Sequence, residues 1–316
     1  MGHGGEEFLA VKSRRFKEQP LAYPYEKERL RTAILTVLAL VAFAANSVLC
    51  RLALGGATID AASFTTIRIL SGAVTLLAFS RLGRRPVAVD RGSWLSAAAL
   101  CLYAAAFSLA YLSLAAGTGA LILFGAVQAT MILAGLASGE RPGVAEWSGL
   151  FLAVAGLVYL VLPGLAVPSP FGGVLMAIAG VSWGAYSLRG RATVNPVAVT
   201  CDNFVRAVPL ALALSLAMLP HMSISPRGAL LATLSGSLAS GVGYVLWYTV
   251  VRRMATSLAA TVQLAVPVLA ATGGVIFLGE RISLRFCLAA LAILGGVALA
   301  VFGRARPVSR DPGKPR

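Results

Sequence analysis

Two arginines, Arg68 and Arg206, lie deep inside long apolar stretches of the sequence. A guanidinium in such surroundings is costly, so it usually faces a wet cavity or the interior of a helix bundle, where its fork of donors can bind a carboxylate. Asp202 precedes Arg206 by four residues, a spacing that places both on one helix face and favours a structural ion pair. For Arg68, a structural role and a role in substrate binding both stay open.

Amide and aromatic side chains also occur near the middle of these stretches. The amides need partners there, either on another helix or in a wet cavity. The aromatic residues repeat at helical spacing in two stretches, so each set shares one face. Such faces either pack against other helices or surround an apolar substrate side chain, with rings available for stacking. The candidate substrate-binding residues are Asn46, Arg68, Tyr103, Phe107, Gln128, Trp183, Tyr186, Tyr244, Trp247 and Gln263.

The elements that position these residues are apolar runs of about 20 residues, the length that a hydrocarbon layer about 30 Å thick requires. The chain is 58% hydrophobic and 12% charged, whereas a soluble domain carries about 25% charged residues. Each run must be helical, because a span in lipid has to satisfy its own backbone hydrogen bonds. The sequence therefore predicts an all-α polytopic membrane protein with ten spans. Their approximate bounds are 32–53, 60–80, 93–113, 118–138, 143–162, 171–191, 197–220, 228–251, 257–278 and 283–303.

The net charge of +15 reflects membrane orientation and does not indicate a nucleic-acid partner. Most of the 27 Lys and Arg residues fall in the two tails and in alternate loops. If both termini are cytoplasmic, 21 of them lie on the cytoplasmic side and 4 on the other, as the positive-inside rule predicts. This charge pattern also favours an even number of spans.

The two halves of the chain resemble each other. Glu140 and Glu280 each follow a glycine and precede an arginine, and Arg51 precedes Arg68 by the same 17 residues that separate Arg189 from Arg206. Five spans per half mean that the second copy enters the membrane from the opposite face, which predicts an inverted repeat around a central cavity. The predicted divisions are a tail at 1–31, repeats at 32–163 and 171–303, a linker at 164–170 and a tail at 304–316.

Two further features concern turns and kinks. Each of Glu140 and Glu280 could cap the helix that follows it, because a carboxylate complements a helix N-terminus. Pro267 lies inside the ninth predicted span, beside Gln263, where it frees a backbone carbonyl and could act as a gating hinge.

The sequence offers no route to catalysis. It has two histidines and twelve acidic residues, and it contains neither a phosphate-binding G-x-x-x-x-G-K-[ST] motif nor a metal-ligand spacing. We therefore expect no catalytic residues, no metal site, no cofactor and no enzymatic activity.

The ten spans, the duplicated halves and the paired Gly-Glu-Arg turns at 139–141 and 279–281 resemble the drug/metabolite transporter (DMT) superfamily, in its EamA branch. Within that branch the chain is similar to the YddG-type exporters of aromatic and other neutral amino acids. The resemblance implies a carrier of the bacterial inner membrane, without an ATPase domain, with a central cavity and with both termini in the cytoplasm.

We therefore expect a monomeric carrier that exports amino acids or facilitates their movement through the bilayer by alternating access. Asp202 is the acidic candidate for proton coupling, and Arg206 can neutralise it, which favours downhill facilitation over proton antiport. A multidrug or nucleotide-sugar carrier of the same architecture is the alternative interpretation. A non-transporting channel or scaffold is the third.

Overall fold

The computed structural model describes residues 22–82, 91–137, 143–161, 169–190, 195–251, 262–263 and 265–304. These residues are mostly helical, which confirms the predicted all-α class. The α-helices are α1 (Ala22–Gly55), α2 (Ala61–Leu82), α3 (Trp94–Ala110), α4 (Ala116–Ala137), α5 (Val144–Val161), α6 (Pro170–Gly190), α7 (Pro196–Ala217), α8 (Pro226–Leu234), α9 (Gly243–Val251), α10 (Ala265–Leu278) and α11 (Leu284–Arg304).

By length and composition, six helical stretches of the described residues can cross a membrane. They are Leu30–Gly55, Ala61–Arg81, Ala116–Gly135, Pro170–Gly190, Val197–Ala217 and Pro226–Val250. Four further apolar stretches of the described residues are shorter, namely Trp94–Ala110, Trp147–Gly156, Ala265–Leu278 and Leu284–Gly296. The first of them is α3, whose 17 residues rise only about 25 Å. The predicted count of ten spans therefore stays a prediction.

The outside of the bundle is apolar. Large side chains such as Phe171, Leu291 and Phe151 are 72%, 71% and 68% exposed. A soluble protein rarely leaves so much apolar surface open to water, whereas lipid tails solvate it. The chain is a multi-pass membrane protein.

Glycines allow two pairs of helices to approach closely. A Cβ at Gly180 of α6 would lie 2.6 Å from the Ala126 Cβ of α4, and one at Gly184 would lie 2.9 Å from the Thr130 Cβ. Small residues of this kind let backbones meet inside a membrane. In the same way, Gly156 and Gly296 lie in the interface between α5 and α11.

An eight-residue π-helical segment, Ser235–Val242, joins α8 to α9. It packs against α1 and α2. Its glycine at position 236 lies against α2, where a Cβ would overlap the Ser71 Oγ and the Arg68 carbonyl oxygen. A π-helical stretch is uncommon and often marks a functional site, so this segment directs attention to Arg68.

Helices α1, α2 and α8 are joined at one end by their connecting loops. Ile59 and Ile224 form an isolated antiparallel bridge, and the Asp60 N–H donates to the Ser223 carbonyl at 2.9 Å. The Asp60 carboxylate caps α2 by accepting the Ser63 N–H at 2.9 Å, and it also accepts the Ser223 N–H at 3.0 Å.

Candidate functional site

A small cavity lies between α1, α2, α3, α4, α6, α9 and the π-helical segment; we call it the central cavity. The volume open to water-molecule centres is about 20 Å³. This is enough for one water molecule and too little for a metabolite. Its lining consists of Phe43, Asn46, Ser47, Arg68, Tyr103, Phe107, Leu123, Phe124, Trp183, Ala239, Ser240 and Tyr244.

Arg68 is the charged residue of this lining, and it is only 2% exposed. Its Nη2 donates to the Tyr103 hydroxyl at 3.0 Å, and its Nε donates to the Ser240 Oγ at 3.2 Å. The guanidinium carbon lies 5.1 Å from the ring centroid of Tyr103 and 5.0 Å from that of Phe107, within the range of cation–π attraction. These contacts fix the guanidinium in one orientation.

The same guanidinium lacks a compensating anion in the part of the chain that the structure describes. Its Nη1 is buried without a hydrogen-bond partner there, and none of the ion pairs found involves Arg68. A buried charge without a partner is expensive, and inside a membrane such a residue usually serves a substrate path. The site can therefore bind an anionic group at Nη1.

Two other buried polar atoms of the described residues also lack hydrogen-bond partners, the Tyr244 hydroxyl and the Gln128 Nε2. Tyr244 lines the central cavity beside Arg68. Gln128 lies one helical turn beyond Phe124 on α4 and is 3% exposed. A buried donor without a partner costs about 1–3 kcal/mol, so Tyr244 and Arg68 together favour a ligand with hydrogen-bond acceptors.

Aromatic rings form the remaining walls of the central cavity. The Trp183 ring centroid lies 5.0 Å from that of Tyr103 and 5.1 Å from that of Tyr244, with both ring pairs tilted. Phe43 meets the Tyr244 ring edge-on at 6.0 Å. These rings contact one another in favourable geometries, and together they line the cavity with apolar surface.

The π-helical segment supplies polar contacts on another side. Its Ser240 accepts the Arg68 Nε, as described above, and its Ser235 Oγ donates to the Asn46 Oδ1 at 2.6 Å. The π-helical segment thus brings Ser240 to Arg68 on α2 and Ser235 to Asn46 on α1.

A second cavity of about the same size lies between α3, α6, α7 and α9; we call it the Arg189 cavity. It is lined by Ser96, Tyr186, Arg189, Gly190, Val199, Thr200, Asn203 and Tyr248. Arg189 donates from Nε to the Ser96 Oγ at 3.0 Å and from Nη2 to the Ser93 Oγ at 3.2 Å. These bonds join the C-terminal end of α6 to the N-terminus of α3.

Two stacked rings separate the cavities. Trp183 lines the central cavity and Tyr186 lines the Arg189 cavity. Their centroids are 5.6 Å apart and the rings are inclined by 28°. The Tyr186 hydroxyl donates to the Thr200 Oγ1 at 3.5 Å and accepts from the Asn203 Nδ2 at 3.4 Å, which holds its ring in place.

A cluster around Arg51 and Glu280 lies next to the central cavity, because Arg51 is one helical turn beyond the lining residue Ser47 on α1 and Tyr111 is one turn beyond Phe107. Arg51 donates from Nη1 to the carbonyl oxygens of Tyr111 at 2.9 Å and Leu112 at 3.1 Å. Its Nε lies 3.6 Å from the Glu280 carboxylate, which also accepts the Ala116 N–H. Partial burial raises the pKa of Glu280 above its ordinary value, while the Ala116 N–H and the Arg51 guanidinium act to lower it.

This geometry corrects the sequence-based interpretation of Glu280. The carboxylate caps α4, which begins at Ala116, and does not cap the following helix α11. The Ser283 Oγ accepts the Phe286 N–H at 3.1 Å and takes that role for α11. Glu140 lies outside the described residues.

Six of the predicted substrate-binding residues line the central cavity together. They are Asn46, Arg68, Tyr103, Phe107, Trp183 and Tyr244. Tyr186 lines the Arg189 cavity. The pairing of Asp202 with Arg206 is confirmed, with Nη2 3.2 Å from the Asp202 carboxylate.

The other predicted residues lie elsewhere. Gln128 and Trp247 are buried, and Trp247 packs edge-on against Phe43 at 5.8 Å, but neither lines the two cavities. Gln263 is half-buried and also lies outside both linings. Pro267 is buried on α10, and the residues 252–261 and 264 that precede it lie outside the described ones. The proposed hinge at Pro267 stays a prediction.

Sequence reasoning missed several members of the lining, among them Phe43, Ser47, Phe124 and Ser240. Phe43 lies three residues before Asn46 and four before Ser47, and Phe124 lies four residues before Gln128. Residues three or four apart share a helix face, so this spacing around the predicted residues was the available signal. Ser240 is different, because the π-helical segment that brings it to Arg68 has no comparable signal.

The model of the EamA-like transporter family matches the chain twice, at residues 30–162 and 170–302. The chain belongs to the EamA-like transporter family. This family is part of the DMT superfamily, as the sequence resemblance predicted. In this EamA-like transporter, the central cavity is lined by residues from both matches, since Arg68 lies in the first and Trp183 in the second.

Relatives with curated descriptions agree with this membership. The chain is 49% identical over 281 residues to the uncharacterized protein PA1977 of Pseudomonas aeruginosa, covering 89% of this chain and 98% of that protein. It is 32% identical to the threonine/homoserine exporter RhtA of Salmonella typhimurium, over 56% of this chain and 59% of RhtA. It is 31% identical to the uncharacterized transporter YwfM of Bacillus subtilis, over 46% of this chain and 50% of YwfM.

A solved structure shares the fold of this EamA-like transporter. A chain titled only as a crystal structure of a protein superposes with a TM-score of 0.59 at 19% identity, covering 84% of this chain and 96% of its own. The likeness supports the arrangement of the helices and carries no information about cargo.

Proposed function

We propose that this transporter exports amino acids, aromatic and other neutral ones, and related small metabolites. The substrate carboxylate binds the Nη1 of Arg68, and the side chain lies between the rings of Tyr103, Trp183 and Tyr244. The observation that carries this proposal is the buried guanidinium of Arg68, which lines the central cavity and has no anionic partner in the described part of the chain.

The likeness to RhtA supports amino acids as the cargo. RhtA is described as a threonine/homoserine exporter and is 32% identical over the aligned 185 residues. Every zwitterionic amino acid has a carboxylate, and this group can pair with a single buried guanidinium. A nucleoside-diphosphate sugar carries two negatively charged phosphates, and the one guanidinium among the described lining residues neutralises only one of these charges.

The pattern of helix contacts supports the proposed five-plus-five inverted repeat. In this repeat, α6 corresponds to α1 and α7 to α2. The continuous rod formed by α8, the π-helical segment and α9 corresponds to α3. Helices α10 and α11 correspond to α4 and α5. The contact of α3 with α6 then corresponds to that of the rod with α1, and the contact of α4 with α6 corresponds to that of α10 with α1. Such a duplicated bundle places a binding site at the interface of its halves.

Two side-chain clusters next to the central cavity are candidates for the gates that alternating access requires. One is the Arg51–Glu280 cluster, and the other is the Trp183–Tyr186 stack. Because the cavity now has room for one water only, substrate binds when the cavity widens, as the two gates open in turn and the halves rock around the site. We propose that the Arg189 end faces the cytoplasm, with both termini, in the inner membrane of a bacterium.

The proposal is tested by counterflow in proteoliposomes loaded with unlabelled amino acid. We expect saturable uptake of radiolabelled phenylalanine, leucine or threonine by the wild-type chain, and a loss of about tenfold or more in Arg68→Gln, because a charge-assisted hydrogen bond is removed. Arg227→Gln, a change at an exposed arginine outside both cavities, is the matched control and keeps wild-type uptake.

Three outcomes contradict the proposal. The first is wild-type counterflow in Arg68→Gln, and the second is flux of dyes or nucleotide-sugars without any amino-acid flux. The third is a steady ion current across a planar bilayer, which indicates a channel. If an imposed pH gradient strongly accelerates uptake, transport is coupled to protons and is not downhill facilitation. That result does not change the proposed binding site.

A further inference from the structure

The central cavity carries a net positive charge. Arg68 stays protonated under all physiological conditions, and none of the other described residues that line the cavity bears a charge. The remaining lining is made of aromatic rings, aliphatic side chains, two serines and one amide. The amide oxygen of Asn46 accepts the Ser235 hydroxyl, which leaves it one further acceptor position.

This charge distribution distinguishes between ligands. A zwitterionic amino acid pairs its carboxylate with Arg68, but it then brings an ammonium group into a site without a carboxylate among its described lining residues. Among these residues, that ammonium finds only neutral groups, namely ring faces, hydroxyl oxygens and the Asn46 amide oxygen. A monocarboxylate without an amino group neutralises Arg68 and leaves no charge unpaired, which a water-poor site strongly favours.

The second donor without a partner suits the same ligands. The Tyr244 hydroxyl lines the cavity and lacks a hydrogen-bond partner in the described part of the chain. A 2-oxo or 2-hydroxy acid has an oxygen next to its carboxylate that can accept from this hydroxyl. Arg68 Nη1 and Tyr244 Oη therefore offer two donors to two adjacent acceptor groups, with the rings left for an apolar side chain.

We infer that the central cavity accepts 2-oxo and 2-hydroxy monocarboxylates with an apolar side chain, the deaminated counterparts of neutral amino acids. The inference rests on the proposed function in one respect, the binding of a carboxylate by Arg68. It extends that function to a class of substrate that no relative named above is described as carrying.

The test uses the full-length wild-type chain in proteoliposomes at neutral pH, with protein-free liposomes as the leak control. Counterflow of labelled phenylpyruvate and labelled phenylalanine is measured side by side. Phenyllactate serves as an unlabelled competitor, and phenethylamine serves as a competitor that lacks the carboxylate. We expect phenylpyruvate to move, phenyllactate to compete against both labels, and phenethylamine to compete against neither.

Two substitutions assign the effect to the cavity. Arg68→Gln is expected to reduce counterflow of both labels about tenfold or more, whereas Arg227→Gln leaves both unchanged. Tyr244→Phe removes only the hydroxyl, and we expect it to weaken phenylpyruvate several-fold more than phenylalanine. Stabilisation of each variant by each ligand, measured as a shift in Tm, shows binding even where a variant no longer transports.

The outcomes separate the inference from the proposed function. If phenylalanine moves and phenylpyruvate neither moves, competes nor stabilises, the inference is wrong and the proposed function stands. If phenylpyruvate moves and no amino acid does, the proposed function fails and the inference stands. If a folded wild-type protein neither binds nor moves either compound, both are wrong. Equal sensitivity of the two labels to Tyr244→Phe overturns the assignment of the 2-oxo oxygen to Tyr244.

Discussion

The carboxylate of Glu280 accepts the backbone N–H of Ala116 at 2.9 and 3.1 Å, across a sequence separation of 164 residues. Ala116 belongs to the first match of the family model and Glu280 to the second. The contact caps the N-terminus of α4 and joins the two matched regions of the chain. Arg51 approaches the same carboxylate and connects it to the carbonyl oxygens at the end of α3.

Replacing Glu280 should therefore loosen this end of the bundle. We expect Glu280→Ala to lower the free energy of unfolding by about 1–2 kcal/mol, because α4 loses its cap and Arg51 loses an ionic partner. Glu280→Gln keeps an acceptor for the Ala116 N–H and should lose less. Thermal unfolding in detergent measures both, with the exposed Glu28→Gln as the control. A Tm of Glu280→Ala equal to that of the wild type would show that the cap has no energetic role.

A second prediction concerns the contact between the π-helical segment and α2. A Cβ at Gly236 would overlap the Ser71 Oγ and the backbone oxygen of Arg68. A backbone atom cannot rotate away, so Gly236→Ala must displace α2 or the segment, at a cost of about 1–3 kcal/mol or more. We expect a lower Tm and a loss of counterflow, because Arg68 moves with α2.

Gly295→Ala is the matched control for Gly236→Ala. A Cβ at Gly295 of α11 would meet nothing within 4 Å, and alanine favours a helix more than glycine does. This variant should have a Tm equal to or slightly above that of the wild type. If Gly236→Ala is as stable and as active as Gly295→Ala, the close contact at position 236 does not constrain Arg68.

The sequence was sufficient to predict the helical class and half of the cavity lining. Arg68, Tyr103 and Trp183 are polar or aromatic residues in the middle of apolar helices, and such residues need either a partner or a cavity. The same reasoning could not find the partner of Glu280, because α4 lies 164 residues away and the contact depends on tertiary packing. Nor could it find Ser240, because the π-helical segment that brings this serine to Arg68 has no periodic signal in the sequence.

Asp60 should make the stability of the protein depend on pH. Partial burial acts to raise the pKa of Asp60, but hydrogen bonds from Ser63, Ser223 and Ala62 outweigh it, and the pKa lies below its ordinary value. A carboxyl with a lowered pKa stabilises the fold at pH values above its unfolded pKa, and this contribution disappears as the pH falls through the folded pKa. The native protein should therefore lose this stabilisation under acidic conditions.

Tm measured against pH for the wild type, Asp60→Asn and Asp60→Ala checks this sign. At neutral pH, Asp60→Ala should cost about 1 kcal/mol, because the cap of α2 is lost, and Asp60→Asn should cost less because asparagine also caps helices. The difference between the wild type and Asp60→Asn should shrink as the pH falls. If the difference instead grows toward acidic pH, the pKa of Asp60 is raised in the folded protein and the prediction is wrong.

The last prediction concerns the ring of Trp183, which stacks on Tyr186 between the two cavities. Removing this ring should connect the central cavity with the Arg189 cavity. Ala239 lines the central cavity and is 3% exposed, so a cysteine at this position reports on access from the second cavity. We expect the reaction of Ala239→Cys with a small thiol reagent to be about tenfold faster when Trp183→Ala is also present.

Trp247→Ala is the matched control, because Trp247 is buried near the same rings but lines neither cavity. It removes an equal volume without opening the wall between the cavities, so the reaction rate at position 239 should stay near that of the single cysteine variant. The background reaction of the four native cysteines is subtracted with the chain that lacks the Ala239→Cys change. If both tryptophan variants accelerate the reaction equally, general loosening of the bundle explains the effect. If only Trp183→Ala does so, its ring is the barrier that a substrate must pass on the way to Arg68.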